Sequence, residues 1–226
     1  MPTLIHPRPD EALDPALIDR WRAIPVAVAS DVTGAPVVLD PAIRPLAPGA
    51  RLCAPALTAW CERGDFGAVL HALDLARPGE ALALAADGRA DTAVIGELLA
   101  GAARAKGLAG LVVDGAVRDV ASLGGWPDFP VWTRRVTPRG PLSKERGAVG
   151  GAVALGGVTV ASGDLLLGDA DGVAALSPVL ARTAINAAEA RVAAENGWRG
   201  RLAAGESPLA VFEVPASRAA PPDGAA

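Results

Sequence analysis

The sequence predicts an α/β layered domain built on a mixed sheet. Three observations carry this expectation. Helical and strand patterns alternate along the first 126 residues, as they do where helices cover a sheet. An all-β run with glycine-rich turns then follows, before one long helix. The 226 residues are 51% hydrophobic and 20% charged, which supplies a core for one large domain.

Residues 1–10 read as an extended arm. Asp14-Pro15 offers an N-cap followed by proline at the first helical position. Leu17, Ile18, Trp21 and Ile24 then recur at helical spacing up to Pro25. VAVASDVTG (26–34) is expected to be a short strand leading to Ser30-Asp31, the cap of another short helix. Proline and glycine punctuate the next passage, with a turn at Pro48-Gly49 and a strand in RLCAPALTAWC. Residues 66–75 have helical periodicity, EALALAADG is a buried strand closed by Asp87-Gly88, and RADTAVI is a crossover. A helix from Gly96, stopped at Gly107, leads to the strand GLVVDG and to a short helix or turn from Asp119. FPVWTRRV is a strand and PRGPLSKERGAV a long irregular loop. Strands separated by turns at Gly156-Gly157 and residues 169–172 come next, and Pro178 starts the long helix. The expected organisation is a single domain over 1–215 and a disordered tail at 216–226.

Composition removes several functions. The net charge is −4, and the densest basic run (Arg134, Arg135, Arg139, Lys144, Arg146) is interrupted by Glu145 and reads as solvated charge, so direct nucleic-acid binding is not expected. No apolar stretch is long enough to cross a bilayer and the start lacks a secretion signal, which makes a cytoplasmic location the expectation. Cys53 and Cys61 match no zinc spacing and are read as reduced, buried thiols. His71 falls on an alanine- and leucine-rich helical face and reads as structural, no serine has a nucleophile context, and there is no tyrosine. GDADG looks like part of a calcium loop, but placing Gly172 at the sixth position puts Leu167 at the first ligand, so it is a hairpin turn. The glycine-rich runs lack the spacing of a dinucleotide or P-loop motif.

The stretch GELLAGAARAKGLAGLVVDGAVRD, residues 96–119, is different. Twenty residues separate Glu97 from the adjacent pair Arg118 and Asp119. A helix N-terminus exposes unpaired N–H groups and partial positive charge, so the amides of residues 96–99 can hold a carboxylate. Arg118 can add a bidentate contact to the same anion, and Asp119 suits a hard cation that keeps several waters, with Glu97 binding one of them. The alternative is an Arg–Asp turn pair beside a Glu that favours its helix start electrostatically.

This stretch closely resembles the signature of the RraA-like proteins, which include the class II 4-hydroxy-4-methyl-2-oxoglutarate/4-carboxy-4-hydroxy-2-oxoadipate aldolases. SDVTG at 30–34, IRPL and APG at 43–49, ALDLARPGE at 72–80, TPRGP at 137–141 and GGVTV, SGD and GDADGV between 156 and 173 extend the resemblance over residues 20–210. The resemblance implies an α/β/α sandwich with a central barrel-like sheet, assembled as a homotrimer or homohexamer with sites between subunits. It implies an aldolase that cleaves 4-hydroxy-2-oxo acids to pyruvate with Mg2+ or Mn2+, and oxaloacetate decarboxylation as a side activity. By motif position the backbone of Gly96, Glu97, Leu98 and Leu99 holds the pyruvyl moiety, Arg118 contacts it, Asp119 anchors the metal, and Glu97 orients a water. A neighbouring subunit's C-terminal helix would supply a glutamate, Glu195 or, as second choice, Glu189. The other activity the family suggests is non-catalytic: regulation of ribonuclease E by protein binding. GAVGGAVALGG (147–157) departs from the family pattern, where Asn and Pro are expected, and Glu97 stands in place of Asp.

Overall fold

The computed structural model describes residues 2–8, 12–34 and 37–217; most of the expected tail lies outside them. In chain order the elements are β1 (Leu4–Ile5), α1 (Pro15–Arg22), α2 (Val26–Thr33), β2 (Arg44–Pro45), β3 (Leu52–Trp60), α3 (Gly67–Leu75), β4 (Ala81–Ala85), β5 (Ala93–Ile95) and α4 (Glu97–Ala105). They continue with β6 (Gly110–Val117), α5 (Val120–Gly124), β7 (Val131–Val136), β8 (Ala148–Val149), β9 (Val153–Leu155), β10 (Val158–Val160), β11 (Leu165–Gly168), β12 (Val173–Leu176), α6 (Pro178–Ala203) and α7 (Pro208–Val211).

The sheet is mixed. β3, β4, β6 and β7 run parallel side by side, β5 adds to the far end of β6, and β2, β8, β11 and β12 pair antiparallel. Residues 37–45 bend the sheet into a barrel. Leu39 N–H donates to Val173 O and Ala175 N–H to Val37 O, tying the segment to β12, while β2 at its other end pairs with β7.

Strand alternation separates the barrel interior from the helical layers. Ala81, Ala83 and Ala85 of β4 point inward with Val112, Leu166 and the fully buried Trp132, whereas Leu82 and Leu84 point out toward α3 and α4. Because both faces of these strands are covered, they read as continuous apolar runs. On the other side, α1, α2 and α6 cover Leu165, Leu167, Ala174 and Leu176, and the Trp21 indole N–H donates to Ala181 O at 2.9 Å. The α/β/α expectation is met.

Several local expectations are corrected. Residues 26–33 form helix α2 rather than a strand: Asp169, from the β11–β12 turn, accepts the Val26 N–H at 3.0 Å, and α2 packs on α6, which overrides the β preference of its valines. The RADTAVI crossover contains β5. The arm contributes β1, which runs parallel to β8, and this accounts for part of the glycine-rich departure at 147–157: a Cβ at Gly150 would lie 2.7 Å from His6 O. Arg134 is not solvated but lies 13% exposed between Asp114 and Asp40, 2.5 and 2.7 Å away. His71 is exposed on α3 rather than packed on an apolar face, and α7 is a helix that periodicity did not single out. Cys53 and Cys61 are free and buried as expected, and burial pushes their thiols up to about 11 and about 12.

Candidate active site

The site lies where β5 gives way to α4 and β6 ends. The parallel pairing of β5 with β6 brings Gly96 and Arg118 together, and Arg118 N–H donates to Ile95 O at 3.1 Å. Asp119 sits at the start of α5 in the left-handed region, with φ at 58°, a conformation in which Asp is better tolerated than most residues. Its side chain makes no cap for α5. Instead Oδ2 accepts the backbone N–H of Glu97 at 3.0 Å and lies 3.5 Å from Arg118 Nε.

Gly96 is required by this approach and not by its dihedrals, which are extended at φ −145°. A Cβ there would fall 2.7 Å from Arg118 Cγ and closer still to Asp119 Oδ2. The first α4 hydrogen bond runs from Ala100 N–H to Gly96 O, so the amides of Leu98 and Leu99 find no partner among the described residues. Two free amides at the positive end of α4 and a half-exposed guanidinium thus face the same region.

They open onto a cavity of about 290 Å³, whose walls include Phe66, Ile95, Leu98, Leu99, Arg118, Gly140 and Pro141. Gly140 belongs to the irregular loop, and a Cβ on it would lie 2.6 Å from an Arg118 terminal nitrogen. The loop is held in place at both ends. Ala93 N–H donates to Arg139 O at 2.8 Å, and the buried Asp65 accepts the Ser143 hydroxyl and the Glu145 N–H. Burial alone would raise the Asp65 pKa, but the bonds from Ser143 and from the backbone of Gly67, Glu145 and Arg146 outweigh it and hold the carboxyl at about 2. Asp65 carries no motif signal; the one trace in the sequence is its position two residues before Gly67, whose N–H it also accepts at 2.7 Å.

The residues expected in the site separate into two groups. Gly96, Glu97, Leu98, Leu99, Arg118 and Asp119 converge, with the Glu97 side chain exposed on the first turn of α4. Glu195 and Glu189 do not join them within one chain, because α6 packs on the layer opposite α4. Glu195 accepts from Arg191 at 2.9 Å, and Glu189 accepts from Arg20 Nε and Nη2 at 2.8 and 2.7 Å, which lowers its pKa. Among the described residues no group of three or more His, Cys, Asp or Glu side chains could enclose a metal. A single committed carboxylate on an open cleft suits a hard cation that keeps waters and shares the substrate as ligand; it does not suit a closed zinc centre.

The chain is similar to known proteins in sequence and in fold. A model of the RraA-like family, described as aldolase/RraA, matches residues 16–175. A Halalkalibacterium halodurans protein named "putative 4-hydroxy-4-methyl-2-oxoglutarate aldolase" is 35% identical over 156 residues, 69% of this chain and 74% of that one. Among solved structures, an uncharacterized protein of Pseudomonas syringae superposes with a TM-score of 0.81 at 23% identity, covering 92% of this chain and 98% of the other. Streptomyces coelicolor RraAS2, described as an unusual member of the RNase ES inhibitor RraA protein family, gives 0.76 at 27% identity over 84% and 99%. No helix among the described residues is long and apolar enough to cross a membrane.

Proposed function

The chain belongs to the RraA-like family, and from that premise we propose that it is a divalent-metal-dependent aldolase releasing pyruvate from 4-hydroxy-2-oxo acids. One observation carries the reading: Arg118 and the Leu98–Leu99 turn with its free amides line one cavity, and Asp119, bonded to the Glu97 N–H beside those amides, lines an adjoining one that shares Arg118.

In the cleavage the C3–C4 bond breaks, its electron pair passes to C3 to make an enolate, and C4 becomes a carbonyl as its hydroxyl loses a proton. C3 then takes up a proton to give pyruvate. The Leu98 and Leu99 amides bind the C1 carboxylate, and Arg118 sets its guanidinium against the C2 oxygen, where negative charge grows as the bond breaks. Asp119, with Glu97 beside it, would hold Mg2+ or Mn2+, which supplies a Lewis acid for the 2-oxo acid. Glu97 is exposed and free to carry the proton from the 4-hydroxyl toward C3. Glu195 of a neighbouring copy, in a homotrimer or homohexamer, completes the site. The same enolate arises from oxaloacetate by loss of carbon dioxide, so decarboxylation accompanies the aldolase activity.

The decisive experiment measures pyruvate release from 4-hydroxy-4-methyl-2-oxoglutarate with and without EDTA, in wild type and Arg118→Ala. Release that EDTA and the substitution both remove is expected. Release unaffected by either overturns the proposal. The likeness to the Streptomyces coelicolor protein supports a second reading, a regulator that binds ribonuclease E. That reading predicts inhibition of the ribonuclease that survives Arg118→Ala.

A further inference from the structure

Resting on the pyruvyl site proposed above, we infer that Gly140 is a positioning residue for that site: its bare backbone is the wall that sets where the Arg118 guanidinium stands. Arg118 lies between two cavities. One, of about 290 Å³, is lined by Leu98, Leu99 and Gly140, and the other, of about 270 Å³, by Asp119, Thr137 and Pro138. The Arg118 side chain passes two glycines on its way. A Cβ on Gly96 would meet Arg118 Cγ at 2.7 Å and Nε at 2.9 Å, and one on Gly140 would meet Nη1 at 2.6 Å. The first contact seats the stem and the second seats the tip.

Backbone conformation does not call for glycine at 140. Its φ lies outside the left-handed region, and Pro141 after it favours extended backbone, which alanine also adopts. An added methyl would overlap the guanidinium, so either the loop or Arg118 has to yield. The loop is fastened on both sides of Gly140. Arg139 O accepts from Ala93 N–H at 2.8 Å, the Leu142 and Ser143 N–H groups both donate to Gly64 O at 3.1 Å, and Ser143 O accepts from Phe66 N–H at 3.0 Å. Pro138 and Pro141 also hold their own φ fixed. Arg118 is half-exposed, and its contact with Asp119, 3.5 Å long, is made by Nε and does not hold the tip. The methyl therefore moves the guanidinium and not the loop. Misplacing a reacting group by roughly 1 Å costs on the order of a hundredfold in rate.

The test measures kcat and KM for pyruvate release from 4-hydroxy-4-methyl-2-oxoglutarate in wild type, Gly140→Ala, Arg118→Lys and the double variant, with the thermal midpoint of each. Gly140→Ala should lower kcat by about tenfold or more, with KM within about threefold of wild type and the midpoint unchanged, because Arg118 acts on charge that grows in the transition state. Lysine carries its charge on a shorter arm that ends before the loop, so in the Arg118→Lys background the methyl should cost less than about twofold. Calorimetric binding of oxalate, which has the shape of the pyruvate enolate, with Mg2+ present gives the same comparison if the lysine variants turn over too slowly to assay. An unchanged kcat in Gly140→Ala overturns the assignment. So does an equal loss in both backgrounds, which would place the methyl against the substrate itself, and so does a loss that comes only with a fallen midpoint. In each of these cases wild type still releases pyruvate and the aldolase reading stands. A wild type that releases none overturns that reading and, with it, the part given to Gly140.

Discussion

The carboxylate of Asp119 accepts the backbone N–H of Glu97 at 3.0 Å, so the end of one strand caps the helix that starts beside it. Asp119 therefore does two things at once: it occupies one of the free amides of α4, and it presents its remaining oxygen at the cleft. The two roles respond differently to substitution. Asn keeps an acceptor for the amide and tolerates the left-handed backbone; Ala keeps neither. Asp119→Asn should lose pyruvate release by about a hundredfold or more while its thermal midpoint stays near wild type. Asp119→Ala should lose both activity and about 1–2 kcal/mol of stability. Paired activity and melting measurements check this, and an active Asn variant would remove the metal role.

Gly96→Ala tests the close approach directly. The added methyl would meet Arg118 Cγ at 2.7 Å, so the half-exposed Arg118 and Asp119 side chains must move. Overpacking of this kind costs about 1–3 kcal/mol where neighbours cannot yield. Here they can, and the expected result is a loss of kcat/KM of about tenfold or more with a stability change under about 1 kcal/mol. A fully active alanine variant would show that the approach has no bearing on the chemistry.

Asp65 fixes a pH dependence. Its carboxyl is held at about 2 against an ordinary 3.8, so the folded state favours the ionised form. The stability this contributes is complete above about pH 4 and is lost as pH falls through about 2; it amounts to about 2 kcal/mol at neutrality. Urea unfolding should find Asp65→Asn weaker than wild type by about that amount at pH 7, with the gap reduced to roughly half at pH 3. A gap independent of pH would contradict the ionised clasp. Because the clasp anchors the loop beside Arg118, the variant should also lose activity at pH 7.

Subunit mixing examines Glu195. Arg118→Ala and Glu195→Ala should each be inactive alone. If a neighbouring copy supplies Glu195, co-expression of the two variants should restore about a quarter of the wild-type rate, since random pairing leaves that share of sites intact. Activity that stays at background would mean that both groups act within one chain, and a Glu195→Ala variant that is active alone would mean that Glu195 is not used.

Much of this site was legible because it is local. Residues 96–119 form one continuous helix–strand–turn, so glycine stops, an apolar strand run and terminal charges could be read along the chain. The layered α/β fold followed from strand and helix periodicities. What escaped depends on partners distant in sequence. Helix α2 reads as a strand until Asp169 caps it from 143 positions away. Arg134 reads as surface charge until the barrel brings Asp40 to it across 94 positions. Asp65 reads as an ordinary loop acid until Ser143 and Glu145 arrive. β5 is three residues long, too short to show a period.

Barrel closure has a consequence for synthesis. The segment at residues 37–45 leaves the ribosome early, but its partners on β12 and the turn before it come much later; Arg44, for instance, donates to Asp171 O across 127 positions. Pairings this distant in sequence form slowly, because a long loop must be closed before any contact rewards it. Until then the nascent chain carries an opened sheet with bare strand edges, the kind of surface that chaperones shield and that aggregates at high expression. The yield of folded protein is therefore governed by the last strands to emerge, and a chain released before residue 165 would have made the cavity walls from Phe66 to Pro141 without the barrel that holds them.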